Sequence, residues 1–323
     1  MRGLESAYPS ARRGRSDSVG LTHRTQAPSA MPPSRFFAPP ADAFATEIAV
    51  LSAGCATRDD RSFPGLRWIA SEELPDAPLW VTLEGAALGA EGDVGGLARH
   101  LFDGLRGDVG VPAPAERAIV VGSVALANRL AAPLAAHGFT REERSFLGFD
   151  AARLAEGPRL ALEPLVGDDA WRDGGEVERA LMTEALAPAP ITDALLERTL
   201  AFKRGQQRHS PPIRRFVGRD PAGAPIAMVG YAPFGPCALG FAPAGVLVRL
   251  RDVAVVPTAR RRGVATALLR AAAAWAIDEC DATQVLLCAA TSGPGAALYR
   301  KLGAREVGAC VAFRGRPGLG TAG

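Results

Sequence analysis

A chain of 323 residues with 48% hydrophobic residues can bury a core, and its length suggests about two domains. The formal net charge is only +3, from 37 basic and 34 acidic residues, and this balance argues against a nucleic-acid partner, which would favour concentrated positive charge. The five cysteines (Cys55, Cys237, Cys280, Cys288, Cys310) and four histidines (His23, His100, His137, His209) are scattered without a C-x-x-C pair, so neither a disulfide framework nor a metal site is expected.

Apolar stretches are interrupted by Asn128 and Arg129 or by Arg270, well short of the ~20 residues of a membrane helix. With reduced thiols and no membrane span, a cytoplasmic location is the expectation. Residues 1–40, rich in Arg, Ser and Pro, read as a disordered leader in which Met31 offers an alternative start, and 317–323 as a flexible tail.

From residue 41 the pattern turns globular, and 41–155 reads as an N-terminal α/β domain. "PLWVTL" (78–83) predicts a strand, "VGGLARHLFDGL" (94–105) an amphipathic helix, and "RAIVVG" (117–122) a short buried strand. A helix over 123–139 follows, with Pro133 expected to kink or split it, and then the strand "RSFLGFD". The second domain, 156–316, opens with the strand "PRLALEPL" (158–165) and two helices near 175–187 and 191–204. A hairpin over 213–234 turns at Asp220 to Gly223, and a long strand over 246–256 runs into Pro257. The helix 264–279, the strand 284–290, a helix near 295–303 and a strand pair over 305–315 complete the chain. This order implies at least two parallel strands joined by a crossover helix. "LAAHGFTREERSFLGF" (134–149) and "LYRKLGAREVGACVAF" (298–313) share a scheme of helix, glycine and strand, as a duplicated fold would.

The stretch "VVPTARRRGVATALL" (255–269) concentrates the chemistry. Pro257 ends the strand, Gly263 permits close backbone approach, and the helix starts at Val264. Unpaired amides and the positive end of a helix dipole then converge on one spot, with Arg260, Arg261 and Arg262 adding charge: a site for a diphosphate. Neither the P-loop nor the dinucleotide-binding glycine pattern is present.

These residues resemble the coenzyme A signature of the GCN5-related N-acetyltransferase (GNAT) superfamily, Gln/Arg-x-x-Gly-x-Gly/Ala, here Arg260 to Ala265. A second segment, "ALYRKLGA", is similar to that family's N-x-x-A-x-x-L-Y-x-K-x-G-F through Leu298, Tyr299, Lys301 and Gly303. Ser292, Gly295 and Ala304 stand where the family has Asn, Ala and Phe. The resemblance covers about residues 158–315. It implies an α/β acetyltransferase fold: a mixed, mostly antiparallel sheet flanked by helices, with a parallel strand pair that binds the coenzyme. The N-terminal half lacks the loop and has Leu134 in the slot of Tyr299, so it reads as a degenerate second copy or an unrelated α/β scaffold.

The resemblance further implies direct transfer of an acetyl group from acetyl-CoA to a primary amine of a small molecule or protein, with no metal. The alternatives are a non-catalytic acyl-CoA sensor and transfer of a longer acyl group. Tyr299 is then the expected acid for the leaving thiolate. Val253, Ala254 and Val255 would hold the acetyl carbonyl and pantetheine, and Arg260–Arg262, Gly263, Val264, Ala265, Thr266 and Ser292 the remainder of the coenzyme. A lysine-like amine costs about 4.6 kcal/mol to deprotonate at pH 7, an α-amine about 1.4 kcal/mol. Asp252 and His209 are the titratable candidates for a base, and the residues do not choose between them; the family's frequent acidic position holds Arg251. No nucleic acid or membrane is expected as partner, and the chain is expected as a monomer with pseudo-dimer architecture or as a homodimer.

Overall fold

The computed structural model describes residues 41–53, 55–60, 62–70, 79–84, 93–107, 117–187, 190–208 and 212–315. The leader, the C-terminal tail and His209 lie outside them. In the N-terminal half, α1 (Ala43–Ser52) precedes β1 (Ala56–Asp59), β2 (Leu66–Ala70) and β3 (Leu79–Leu83). There follow α2 (Val94–Gly107), β4 (Arg117–Val121), α3 (Val124–Ala135), β5 (Thr140–Asp150) and the short α4 (Ala151–Leu154). The C-terminal half contains β6 (Ala161–Pro164), α5 (Gly167–Leu186), α6 (Asp193–Arg208), β7 (Arg214–Arg219), β8 (Pro225–Cys237) and β9 (Gly245–Val255). It ends with α7 (Val264–Cys280), β10 (Ala282–Ala290), α8 (Pro294–Lys301) and β11 (Arg305–Gly315).

All eleven strands share one sheet in the order β1-β2-β3-β4-β11-β5-β10-β9-β8-β7-β6. Two neighbouring pairs are parallel, β3 with β4 and β9 with β10, and each is joined through a crossover helix, α2 or α7. The mixed, mostly antiparallel sheet expected from the sequence is therefore present. Pro133 falls within the last turn of α3, where the helix is already ending at Ala135, and so α3 remains one helix. Its start is fixed by Ser123, whose hydroxyl accepts the Leu126 amide at 3.2 Å.

One expectation fails. Residues 305–315 form a single eleven-residue strand, not a strand pair. The strand beside it comes from the other half: β5 lies between β10 and β11, and β11 in turn lies between β4 and β5. The halves thus interleave their last strands. The echo noted in the sequence falls on this junction, since α3, Gly138 (φ +79°) and β5 repeat as α8, Gly303 (φ +94°) and β11.

Side chains alternate between the sheet faces and divide the core accordingly. Val248, Leu250, Val285 and Leu287 pack with Leu268, Leu269 and Ala272 of α7 and with Tyr299 of α8. Ile119, Val121, Val311 and Phe313 extend this face under α2 and α3. On the opposite face, Leu247, Leu286, Phe146 and Cys310 pack with Phe44 and Ile48 of α1. α1, an element of the N-terminal half, therefore covers strands of the C-terminal half. Its start is set by Asp42, which accepts the Ala45 amide at 2.8 Å.

Candidate active site

The parallel pairing of β9 with β10 runs from Val246/Ala282 to Arg249/Leu286 and then stops. Each strand continues, held by its outer neighbour: β9 pairs with β8 as far as Val255, and β10 with β5 as far as Ala290. A wedge opens between them. Asp252 sits in it at φ +51°, where the register slips so that Val229 of β8 spans the interval between the Arg251 and Ala254 pairs. This is a β-bulge, and it re-aims the Val253–Val255 backbone.

Beyond the wedge, Val256 donates to the Ile226 carbonyl at 2.9 Å, and a 3-10 turn over Pro257–Ala259 leads into the basic loop. Arg261 (φ +60°) and Gly263 (φ +79°) are both left-handed. A Cβ at Gly263 would meet no atom within 4 Å, so glycine is required there by conformation and not by crowding. The first bond of α7 runs from Ala267 N to Gly263 O at 3.0 Å, which leaves the amides of Val264, Ala265 and Thr266 without intrahelical acceptors. The three arginines are not equivalent. Arg260 donates through Nε to Val255 O (2.9 Å), and its guanidinium grips both oxygens of Glu184 on α5 (2.6 and 2.5 Å). It fastens the loop to the helix, and Arg261 and Arg262 remain as exposed cations at the anion site.

Tyr299 is 7% exposed, and its hydroxyl makes no hydrogen bond among the described residues. Burial pushes the phenol up to about 12, with the Arg249 guanidinium acting to lower it and the Cys288 thiol to raise it. Both neighbours stand where the wedge begins. A Cβ at Gly295, where the family has alanine, would lie 3.7 Å from the Tyr299 hydroxyl, an ordinary contact. Ser292 is exposed in the turn before α8 and does not cap that helix. The adjacent Thr291 is tied down through Ser145 (Oγ to Oγ1, 2.9 Å) and Arg300, whose Nη1 donates to its carbonyl at 3.0 Å.

The wedge face opposite α7 carries groups that sequence reasoning missed. Glu47 of α1 is buried and accepts from Arg249 (2.5 Å) and Arg144 (3.3 Å), while Arg251 donates to Val50 O at 2.9 Å. Burial alone would raise the Glu47 carboxyl, but Arg249, Arg144 and Arg251 hold it below the usual range. Asp252 behaves alike: burial opposes its charge, yet Arg251, Lys203 and Arg215 hold it far below the usual carboxylate range. Arg215 donates to it at 3.0 Å. Asp252 is therefore a structural anion and a very poor base. The available signal was the pair Arg249 and Arg251, two charges on one face of the otherwise apolar strand "VLVRLRDVAVV".

The parallel pair in the N-terminal half differs. β3 and β4 stay paired throughout, from Leu79/Arg117 to Leu83/Val121, and Gly122 N extends the ladder to Leu83 O at 2.9 Å. No wedge opens there among the described residues. Leu134, in the slot of Tyr299, is fully buried in the core.

Comparison with known proteins places these features. The family model "Acetyltransferase (GNAT) family" matches residues 179–304. No curated protein matches the chain significantly. Among solved structures, a functionally unknown conserved protein from Staphylococcus epidermidis aligns at TM-score 0.56 and 10% identity, over 84% of this chain and 97% of that one. A GCN5-related N-acetyltransferase from Kribbella flavida aligns at 0.48 and 16% identity, over 84% and 93% of the two chains. A tandem GNAT protein from the clavulanic acid biosynthesis pathway gives 0.46 and 15% identity over 91% of each. At such identities the likeness speaks to the fold alone. Residues 179–304, the stretch that the GNAT family model matches, contain the wedge, the basic loop and Tyr299.

Proposed function

We propose that the protein transfers an acetyl group from acetyl-CoA directly to a primary amine. The observation that carries this reading is the wedge between β9 and β10, with the free amides of the α7 N-terminus following β9 and the buried Tyr299 phenol on α8 following β10. Diphosphate oxygens fit the amides of Val264–Thr266, with Arg261 and Arg262 as exposed counter-charges. The backbone of Val253–Val255 faces the wedge and can donate to the acetyl carbonyl as negative charge develops there.

Tyr299 has a narrower role than full proton donation. Moving a proton from a phenol near 12 to a thiolate of about 8.5 is uphill by about 5 kcal/mol. The phenol therefore stabilises the departing thiolate by a hydrogen bond, and the acylated ammonium supplies the proton. Glu47 and Asp252 are both held ionised by arginines, so neither is a base for neutral pH. The amine must then reach the wedge in its neutral form, which favours acceptors of low pKa.

The test is thiol release from acetyl-CoA across a panel of amines, together with direct coenzyme binding. Turnover with some of the amines is expected. Tight coenzyme binding with no turnover of any amine would replace the enzyme reading by a sensor.

A further inference from the structure

We propose that the amine acceptor carries a carboxylate, which docks on Arg144 and Arg251 beneath α1. This rests on the acyl-transfer reading above. A coenzyme that enters beside α7 presents its thioester through the wedge to the opposite face, and α1 roofs that face. The roof is a bridge: Arg251, beyond the last residue of β9 that pairs with β10, donates to Val50 O, and Arg144, opposite Ala290 at the end of β10, donates to Glu47. These arginines stand at the two lips of the wedge.

Charge there is unbalanced. Four guanidiniums, from Arg144, Arg249, Arg251 and Arg215, meet three carboxylates, those of Glu47, Asp252 and the exposed Glu142. Asp252 lies 3.0 Å from Arg215 and 3.5 Å from Arg251, and Glu142 lies 3.8 Å from Arg144, which leaves the cluster one anion short. The Nε atoms of Arg144, Arg249 and Arg251 are all buried without a hydrogen-bond acceptor, and the Arg249 side chain is only 4% exposed. Unbalanced, unsatisfied cations at a half-buried site are costly unless an anion completes them. Arg144 and Arg251 keep 19% and 21% of their side chains accessible, enough for a carboxylate to reach them. A guanidinium fork matches a carboxylate in shape and charge. The same cations disfavour an ammonium beside them, so they help deliver the neutral amine that the wedge lacks a base to make.

The test uses the full chain with and without coenzyme A, titrated calorimetrically with matched pairs: an amino acid and its carboxamide, a dipeptide and its C-terminal amide, and spermidine for contrast. The carboxylate member is expected to bind at least about tenfold tighter, as for a charge-assisted bidentate contact. Arg251→Gln and Arg144→Gln should each erase the preference and raise the acceptor KM while leaving coenzyme affinity unchanged. Arg144→Lys should retain part of it, which guards against a variant that merely misfolds. Amides or spermidine binding as well as the carboxylates would overturn the proposal. So would persistence of the preference in both glutamine variants, or no binding of any carboxylate amine while coenzyme A binds. Failure of coenzyme A itself to bind would instead strike the acyl-transfer reading, and the coenzyme-free titrations keep the two apart.

Discussion

Tyr299 and Gly263 carry separable parts of the proposed chemistry. Tyr299→Phe removes only the hydroxyl, whose role lies with the departing thiolate. It should lower kcat by about tenfold or more while leaving the coenzyme Kd unchanged; unaltered turnover would remove the phenol from the mechanism. Gly263→Glu places a negative charge at a left-handed backbone position next to the free amides in sequence, and should abolish coenzyme binding. Arg261→Ala removes one exposed charge and should weaken binding by less than about fivefold. Gly263→Asn, which tolerates φ > 0, separates strain from charge. Were the arginine change the more damaging, the charge and not the backbone would define the site.

Asp60, far from the wedge, makes a stability argument at the same scale. Burial opposes its charge, but it accepts hydrogen bonds from His100 (2.7 Å), Trp68 (3.0 Å) and the amides of Ser62 and Phe63, and its pKa falls to about 2. A depressed carboxylate stabilises the fold above its unfolded pKa and loses that contribution as pH falls through the folded one. The loss is about 2 kcal/mol, between about pH 4 and 2. Asp60→Asn should flatten this acid limb in denaturant unfolding measured across pH, and an unchanged limb would assign the acid sensitivity elsewhere.

Among the elements, α1 joins the fold to the site. Glu47 on its buried face neutralises part of three arginines, so Glu47→Gln leaves a buried cluster uncompensated. Such a change should cost at least about 3 kcal/mol, read as a lower urea midpoint. Because the Glu47 carboxyl is held below its ordinary value, its contribution is present near neutrality and is lost on acidification. The elements were unequally legible in the sequence. β9, the basic loop and α7 could be read because their signals are local: an apolar strand ended by Pro257, a glycine, then helical periodicity. The wedge could not be read, because it depends on where pairing of β9 with β10 stops. The bulge at Asp252 was hidden for the same reason, and so was the reach of α1, whose partners are strands some two hundred residues along the chain. The alternation of Arg249 and Arg251 was visible but reads as a cost until the roof over it is seen.

At the scale of the whole molecule, the interleaving of β5 and β11 makes the halves interdependent. The sequence divides near residue 156, yet β5 of the first part lies between β10 and β11 of the second in one sheet. Residues 156–323 alone would lack β5, which pairs with β10 from Asp150/Gln284 to Arg144/Ala290 and with β11 from Gly148/Arg305 to Thr140/Arg314. Two long strands would lose their shared neighbour, and α1 would no longer cover Leu247 and Leu286. Exposed, hydrophobic strand edges drive aggregation, so this fragment should be insoluble or unfolded when expressed alone. Co-expression with residues 1–155 should restore a soluble complex, since the second fragment supplies both the missing strand and the roof. Coenzyme binding by that complex, against none by either fragment, is the measurement that checks it. A soluble, coenzyme-binding C-terminal fragment would instead mean that β11 folds back into the place of β5. The role of the N-terminal half follows from this dependence. Its own parallel pair stays closed and its tyrosine slot holds leucine, yet it supplies the central strand and one wall of the site in the other half.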